Sequence, residues 1–404
     1  MKRILLISHF FPPIKSAESA MTFNFVKYLS CFNWGATILC AKKSIGDLLD
    51  FSMPCGSIKN VSFFRVRPIG NIMVYGFQKL KILSHTYSRI GWALSAIKAG
   101  KKILKKEKID IIISRSTPIV SHLVALKLKS LSNLYWVACF SDPWTQSSYY
   151  FSPNRIVKKI DEYLEKKVMF TADKIIVTTD QTKRLFLEKY KIEDKIEVVP
   201  NSYDFLGFPD GRQEEKENKF VITHAGNFYG PRSPEPFFRA LKMLKNEMDI
   251  DGKIKVKLIG QIEKGKSLIK KYQLENIVQL IDTVPRKEIL HHLISADALL
   301  LIDAPSEKES VFLPSKLMEY INIGKPILAI VPAGASADVI RATKTGVVVM
   351  VDDIEGIKEA IRNYYELYVG LKLEIKPNRE EIKKYDAKNC TGTLVKILEN
   401  LIQC

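Results

Sequence analysis

Glycine, asparagine and arginine follow an apolar run early in the second half of the chain. The predicted strand Phe220–Ala225 leads into Gly226 and Asn227, and Arg232 comes just before a predicted helix. A glycine lets the backbone approach an anion closely, and arginine supplies a permanent, forked cation. This segment therefore predicts a binding site for a phosphorylated ligand.

A second segment combines a loop, a short helix, a glycine stop and a strand between positions 312 and 326. Free backbone N–H groups at the start of such a helix suit a phosphate group. Glu319 lies about one turn into the helix, where its carboxylate can accept hydrogen bonds from a ribose diol. The candidate binding residues of this segment are Phe312, Leu313, Pro314, Ser315, Lys316 and Glu319.

Two places in the first half also carry candidate residues. Ser16, Ala17 and Glu18 follow the first predicted strand and open a predicted helix. Asp142 lies at the carboxyl end of an apolar strand, the edge at which open α/β sheets bind ligands, and it can orient or deprotonate a hydroxyl group. The alternative for Asp142 is a structural Asx turn before Pro143.

The segment 312–326 resembles the family 4 retaining glycosyltransferases, which have the two-domain GT-B fold. In that family the second glutamate of an E-x7-E motif holds the nucleotide ribose, and the resemblance assigns this role to Glu319. The first glutamate would fall on Val311, while Glu307 and Glu309 are out of register. The resemblance therefore leaves the contact to the donor sugar without its usual residue.

The same resemblance extends over nearly the whole chain. It implies that Arg232, with Lys316 as a second cation, neutralises the leaving diphosphate, and that Asp142 handles the acceptor. It implies that Ser16-Ala17 replaces the usual Gly-Gly pair, and that the region 281–286, including Val284, holds the nucleotide base. Retention of anomeric configuration is likewise an implication of the family.

Alternating apolar runs and helical patterns predict an α/β fold of two Rossmann-like domains facing a central cleft. The apolar runs are rich in Ile and Val, as in parallel strands that are buried on both faces. A polar segment with Pro and Gly predicts a linker. We expect an N-terminal acceptor-binding domain at 1–205, the linker at 206–218, a C-terminal donor-binding domain at 219–385, and a final helix in 386–404 that crosses back to the first domain.

The net charge of +18 is concentrated in the first half of the chain. Residues 1–200 hold 32 basic and 15 acidic residues, a net charge of +17, and residues 51–140 hold 15 and 2. Residues 75–108 add apolar residues at helical spacing and several aromatic residues, so we expect this region to dock on an anionic membrane surface. Nucleic-acid binding and a merely solvated helix face are the alternatives, and the apolar spacing favours lipid over nucleic acid.

The sequence lacks the motifs that are typical of metal-dependent and disulfide-rich proteins. The six cysteines show no CxxC spacing, the six histidines form no metal-binding motif, and Asp249-Ile250-Asp251 precedes a glycine in a predicted turn. We therefore expect no metal and no cofactor. No apolar stretch is long enough to predict a transmembrane helix.

The sequence thus predicts an enzyme that transfers a sugar from a nucleotide-sugar donor to a lipid-linked glycan acceptor in the synthesis of a surface polysaccharide. We expect it to be cytoplasmic and peripheral on the inner face of the cell membrane, without a nucleic-acid partner. A nucleotide-sugar epimerase of the same fold and a non-catalytic binding relative remain alternatives.

Overall fold

The computed structural model describes residues 1–404 except 45–46, 54, 70–88, 149, 151, 153, 205–216, 229, 263–264 and 404. Most of the predicted linker and part of the basic region 75–108 lie outside the described residues. The chain divides into two compact units. Unit 1 comprises residues 1–202 and 387–404, and unit 2 comprises residues 203–386.

Unit 1 contains a parallel sheet of seven strands in the order β3-β2-β1-β4-β5-β6-β7. The strands are β1 Lys2–Ile7, β2 Trp34–Ala41, β3 Val61–Val66, β4 Ile111–Ser116, β5 Tyr135–Phe140, β6 Lys174–Val177 and β7 Ile196–Val198. Most of β1, β2, β4 and β5 is buried, because helices cover both faces of the sheet. The strand order reverses between β1 and β4, which creates a crevice at their carboxyl ends.

The helices of unit 1 form two layers. On one face, α1 (Ala17–Tyr28) packs beside the C-terminal helix, and their apolar residues share one core cluster. On the other face lie α2 Ile90–Lys106, α3 Val120–Lys129, α4 Arg155–Thr171 and α5 Asp180–Tyr190, with α3 in contact with both α2 and α4.

Unit 2 repeats this plan with a parallel sheet of six strands in the order β10-β9-β8-β11-β12-β13. The strands are β8 Phe220–Ala225, β9 Ile254–Ile259, β10 Val278–Ile281, β11 Ala298–Ile302, β12 Ile327–Ile330 and β13 Gly346–Val349. The helices are α6 Glu235–Glu247, α7 Gly265–Tyr272, α8 Arg286–Ser295, α9 Ser315–Ile323, α10 Ala335–Thr343, α11 Ile354–Val369 and α12 Arg379–Lys383. The strand order reverses between β8 and β11, and the predicted phosphate-binding residues follow β8.

The final helix, α13 (Ala387–Gln403), returns to unit 1. Leu394, Val395 and Leu398 pack into the core cluster that contains Phe23 and Val26 of α1. The strands predicted from apolar runs are present in both units, and the predicted two-domain α/β fold is confirmed.

The basic helix α2 uses its apolar residues differently from the sequence-based interpretation. Trp92, Ala96 and Ile103 are buried, and Ile90, Ile97 and Leu104 pack against the core of unit 1, whereas Leu94 is exposed. The apolar spacing of α2 is therefore explained mainly by core packing, and interpreting Ile90, Ile97 and Leu104 as part of a lipid-facing stripe was wrong. The lysines of α2, by contrast, lie on its exposed side.

Candidate functional site

The residues after β8 form one wall of the crevice at the strand-order reversal of unit 2. Gly226 has a φ angle of +138°, and a Cβ atom built there would lie 2.9 Å from Lys316 Nζ. A side chain at this position would therefore occupy the space where the lysine amine lies. Asn227 faces the neighbouring strand, because its side-chain oxygen accepts a hydrogen bond from Gln261 N at 2.9 Å.

Lys316 reaches this wall from the first turn of α9. Its Nζ lies 3.3 Å from Nε2 of the buried His224. The His224 Nδ1 is 2.8 Å from the Leu300 carbonyl oxygen, so Nδ1 carries the proton and Nε2 accepts from the lysine. Burial, with Lys316 and Arg232 nearby, lowers the pKa of His224 well below its usual value and keeps the ring neutral.

The amine of Lys316 is an unusual cation. Burial, followed by repulsion from the Arg232 guanidinium, lowers its pKa to about 7, although Asp303 acts in the opposite direction. A bound polyanion would offset both of these effects, because it supplies the missing negative charge. Lys316 is therefore poised to take up a proton when an anionic ligand binds.

Arg232 is held by an acidic partner on the opposite side of the crevice. Its Nη2 donates to Asp303 Oδ1 at 2.6 Å, and its Nε lies 3.3 Å from the same oxygen. Asp303 follows β11, is almost fully buried, and also accepts a hydrogen bond from Ala304 N. The ion pair fixes the guanidinium beside the carboxyl ends of β8 and β11.

The loop before α9 presents the start of this helix without a side-chain cap. Pro314 is the N-cap residue and provides no side-chain hydrogen bond, and no acidic residue lies in the first turn. Leu313 is buried, the Phe312 carbonyl accepts from Ser336 Oγ, and Ser315 begins the helix. The positive end of the helix dipole is therefore not neutralised by the helix's own side chains.

Glu319 lies one turn further along α9. Its Oε1 accepts a hydrogen bond from Arg286 Nη2 at 2.7 Å, and both side chains are partly exposed. Val284 is half-buried two residues before α8, which begins at Arg286. Arg286 ends the region 281–286 that the resemblance assigned to the nucleotide base, but its ion pair with Glu319 was not predicted from the sequence.

The loop before α9 contains the positions at which this sequence departs from the E-x7-E motif. Val311 is half-buried in the loop, while Glu307 and Glu309 are exposed. Ser310 makes a bridge with Gly334, and its backbone lies so close that a Cβ atom on Gly334 would meet Ser310 O at 2.2 Å. This contact holds the loop against the start of α10.

The predicted N-terminal loop of unit 1 forms a buried charged cluster. Ser16 caps α1 by accepting from Ser19 N, and Ala17 is exposed. The buried Glu18 carboxylate accepts from Arg115 Nε at 2.7 Å and from the Ser141 hydroxyl at 2.5 Å. Glu18 therefore connects α1 to the ends of β4 and β5, a structural role that its sequence position did not reveal.

Asp142 lies immediately after β5 and next to Ser141, and it is half-buried. Its position at the carboxyl edge of the unit 1 sheet is the one that the sequence predicted. The structure thus brings Gly226, Arg232 and Lys316 together in unit 2, with His224 and Asp303 as supporting residues. Asp142 belongs to unit 1.

No group of three or more His, Cys, Asp or Glu side chains suited to a metal ion occurs among the residues that the structure describes. Asp249 and Asp251, the candidate Asp-x-Asp pair, instead form ion pairs with Lys253 and Lys245 in a turn. Across the same described ranges, no helix has the length and apolar composition needed to cross a membrane.

Both halves of the chain match models of glycosyltransferase families. Residues 67–205 match the model of Glycosyltransferase Family 4, and residues 210–388 match that of Glycosyl transferases group 1. A protein of Haemophilus influenzae described as an uncharacterized glycosyltransferase is 25% identical over 274 residues, which cover 67% of this chain and 69% of that protein.

Solved structures share the fold at low sequence identity. Sucrose-phosphate synthase from Thermosynechococcus elongatus has a TM-score of 0.74 at 14% identity, with both chains covered completely. HepE from Anabaena in complex with UDP-glucose has a TM-score of 0.71 at 13% identity, covering 99% of this chain and 100% of its own. The lipopolysaccharide outer core galactosyltransferase WaaB has a TM-score of 0.65 at 13% identity, covering 98% and 99%.

Proposed function

This chain is a glycosyltransferase of the family 4 type with the two-domain GT-B fold, and from that premise we propose that it transfers a sugar from a nucleoside diphosphate sugar to a lipid-linked saccharide. The observation that carries the donor part is the convergence of Lys316, Arg232 and the uncapped start of α9 around Gly226. Two cations, free backbone donors and a small residue are what a diphosphate requires.

In this proposal the diphosphate lies at the start of α9, between Lys316 and Arg232. Lys316 contributes a charge that grows as the anion binds, because its pKa is about 7 in the free protein. The ribose hydroxyls donate hydrogen bonds to the Glu319 carboxylate. These bonds partly replace the one that Glu319 accepts from Arg286 in the free protein. Val284, shortly before α8, contacts the base.

In this proposal, catalysis depends on stabilising the negative charge that develops on the leaving diphosphate. As the bond between sugar and diphosphate breaks, negative charge accumulates on the diphosphate, and fixed cations stabilise this charge. The chain's own side chains supply these cations, so we propose a reaction that needs no metal ion. Retention of configuration is part of the proposal and rests on the family resemblance.

The acceptor part of the proposal concerns unit 1. Asp142 at the end of β5 orients the acceptor hydroxyl, while Glu18 and Arg115 hold the neighbouring backbone through Ser141. The strongly basic first half of the chain favours an anionic acceptor environment such as a lipid diphosphate at a membrane surface. The structural similarity to WaaB is consistent with a role in surface polysaccharide synthesis at the cytoplasmic face of the membrane.

A binding and transfer experiment tests the proposal. Thermal unfolding is followed with UDP-, GDP-, ADP- and dTDP-sugars, and a true donor at 100 times its Kd stabilises the protein by about 2.7 kcal/mol. The stabilising donor is then incubated with lipid-linked saccharides, and transfer of a labelled sugar is measured. Binding of no nucleotide sugar, or conversion of the donor in the absence of any acceptor, would contradict the proposal.

A further inference from the structure

Two carboxylates lie on the buried face of helix α4, where a surface helix ordinarily places apolar residues. Asp161 and Glu165 are one helical turn apart, and both are fully buried. Both accept hydrogen bonds from the segment that joins β5 to α4. The Tyr150 hydroxyl donates to Asp161 Oδ2 at 2.7 Å, and Thr145 donates to Glu165. The segment that contains Asp142 is therefore tied to the inner side of α4.

Glu165 holds Thr145 at two points. Its Oε1 accepts from Thr145 N at 3.3 Å, and its Oε2 accepts from the Thr145 hydroxyl. At the end of α5, Lys189 Nζ and the Tyr190 hydroxyl donate to the same Oε2 at 2.7 and 2.8 Å. Lys189 Nζ also donates to Thr145 Oγ1 at 2.8 Å. This contact at two points, braced by α5, fixes both the position and the orientation of Thr145.

Asp142 lies between two anchors of this kind. On its N-terminal side, the Ser141 hydroxyl donates to the buried Glu18 of α1. On its C-terminal side, Thr145 is held by Glu165 of α4, and the two residues that directly follow Asp142 are buried. Because α1 and α4 cover opposite faces of the sheet, the chain is held from both faces on either side of Asp142.

Stability alone does not require the buried charge of Glu165. Removing a carboxylate from water costs free energy that its partners only partly return, and apolar residues of similar volume often stabilise a protein equally well. Directional hydrogen bonds, by contrast, give Thr145 a defined place, and a displacement of about 1 Å in an active site lowers a rate about 100-fold. We propose that Glu165 is a positioning residue for sugar transfer: by holding Thr145, it keeps Asp142 in the orientation that engages the acceptor hydroxyl. This inference rests on the proposed function, which gives Asp142 that role.

The test is Thr145→Val in the full chain, because this variant loses the hydroxyl but leaves Glu165 bonded to Lys189 and Tyr190. We expect kcat for transfer to fall by about 10- to 100-fold, with a smaller change in the acceptor KM. The donor Kd is expected to stay unchanged, because the proposed donor residues belong to unit 2. Thr145→Ser keeps the hydroxyl and is expected to retain the wild-type kcat. Hydrogen–deuterium exchange of residues 142–147, which needs no substrate, is expected to be faster in Thr145→Val than in Thr145→Ser.

The matched control is Thr37→Val, which removes a hydroxyl that donates to Glu107 in the amino-terminal half of β2. Since Thr37 is fully buried, this variant is expected to lower the unfolding temperature at least as much as Thr145→Val while leaving kcat unchanged. A wild-type kcat in Thr145→Val, or an equal loss of kcat in Thr37→Val, would overturn the positioning role of Glu165. Asp142→Asn separates the two proposals: a wild-type rate in this variant would contradict the proposed acceptor role itself, and a slow Asp142→Asn beside a fast Thr145→Val would contradict the positioning role alone.

Discussion

The lowered pKa of Lys316 predicts that donor affinity depends on pH. Burial of its amine, followed by repulsion from Arg232, lowers the pKa of Lys316 to about 7 in the free protein. A bound diphosphate favours the charged form and raises this pKa, so binding takes up a proton whenever the solution is above pH 7. Donor affinity is therefore expected to fall as the pH rises through 7, since less of the free protein carries the charged lysine.

The size of the effect follows from the fraction of protein that is competent to bind. With a pKa of about 7, the charged fraction of Lys316 decreases from about nine-tenths at pH 6 to about 3% at pH 8.5. Apparent affinity scales with this fraction, so the donor Kd is expected to increase about 30-fold over this interval if the pKa in the complex stays above 8.5.

Isothermal titration calorimetry at pH 6, 7 and 8.5 measures this change, and buffers of different ionisation enthalpy count the protons taken up. Lys316→Arg is the matched control, because arginine stays charged over the whole interval. Its donor affinity is expected to be independent of pH. A wild-type Kd that does not change between pH 6 and 8.5, or a Lys316→Arg variant that keeps the full pH dependence, would refute the reasoning.

Three further substitutions test the other parts of the site. Glu319→Ala is expected to weaken donor binding by about 1.5–3 kcal/mol with a smaller loss of stability, because the Arg286 side chain, 20% exposed, still reaches solvent; calorimetry showing unchanged donor affinity would contradict the ribose assignment. Arg232→Ala is expected to lower kcat more than it weakens donor binding, and combining it with Asp303→Asn separates catalysis from the cost of a buried, unpaired carboxylate; equal losses in kcat and affinity would mark Arg232 as a uniform binding residue. Gly226→Ala is expected to reduce stability by about 1–3 kcal/mol and to impair donor binding, because its Cβ meets Lys316 Nζ at a positive φ; a variant with wild-type melting temperature and affinity would contradict the close approach.

The sheets could be predicted from sequence because their strands are buried on both faces and read as continuous apolar runs. Phe220–Ala225 and Ala298–Ile302, for example, have the predicted bounds. Helix α4 was not predicted, because its buried face contains Asp161 and Glu165 and its outer face mixes exposed lysines with exposed apolar residues. A search for an amphipathic helix expects apolar residues on the buried face, so it assigns the buried and exposed faces of α4 incorrectly.

The candidate site was predicted where its residues are close in sequence to a strand end or a helix start. Gly226, Arg232 and Lys316 belong to this class. Asp303 was missed, and Arg286 was predicted only as the end of the region 281–286, because their partners Arg232 and Glu319 lie 71 and 33 residues away. Asp303 nevertheless follows a buried strand, the same signal that singled out Asp142. The role of Glu18 depends on Arg115, 97 residues away, and only the folded chain brings these residues together.

A crystal structure with the nucleoside diphosphate sugar selected by the thermal unfolding panel tests the central claim most directly. The proposal predicts the diphosphate at the start of α9, with oxygens within hydrogen-bond distance of Lys316 Nζ and Arg232, and the ribose hydroxyls on Glu319. A donor bound elsewhere on the chain, or in this crevice with its ribose away from Glu319 and its diphosphate away from Lys316, would contradict it.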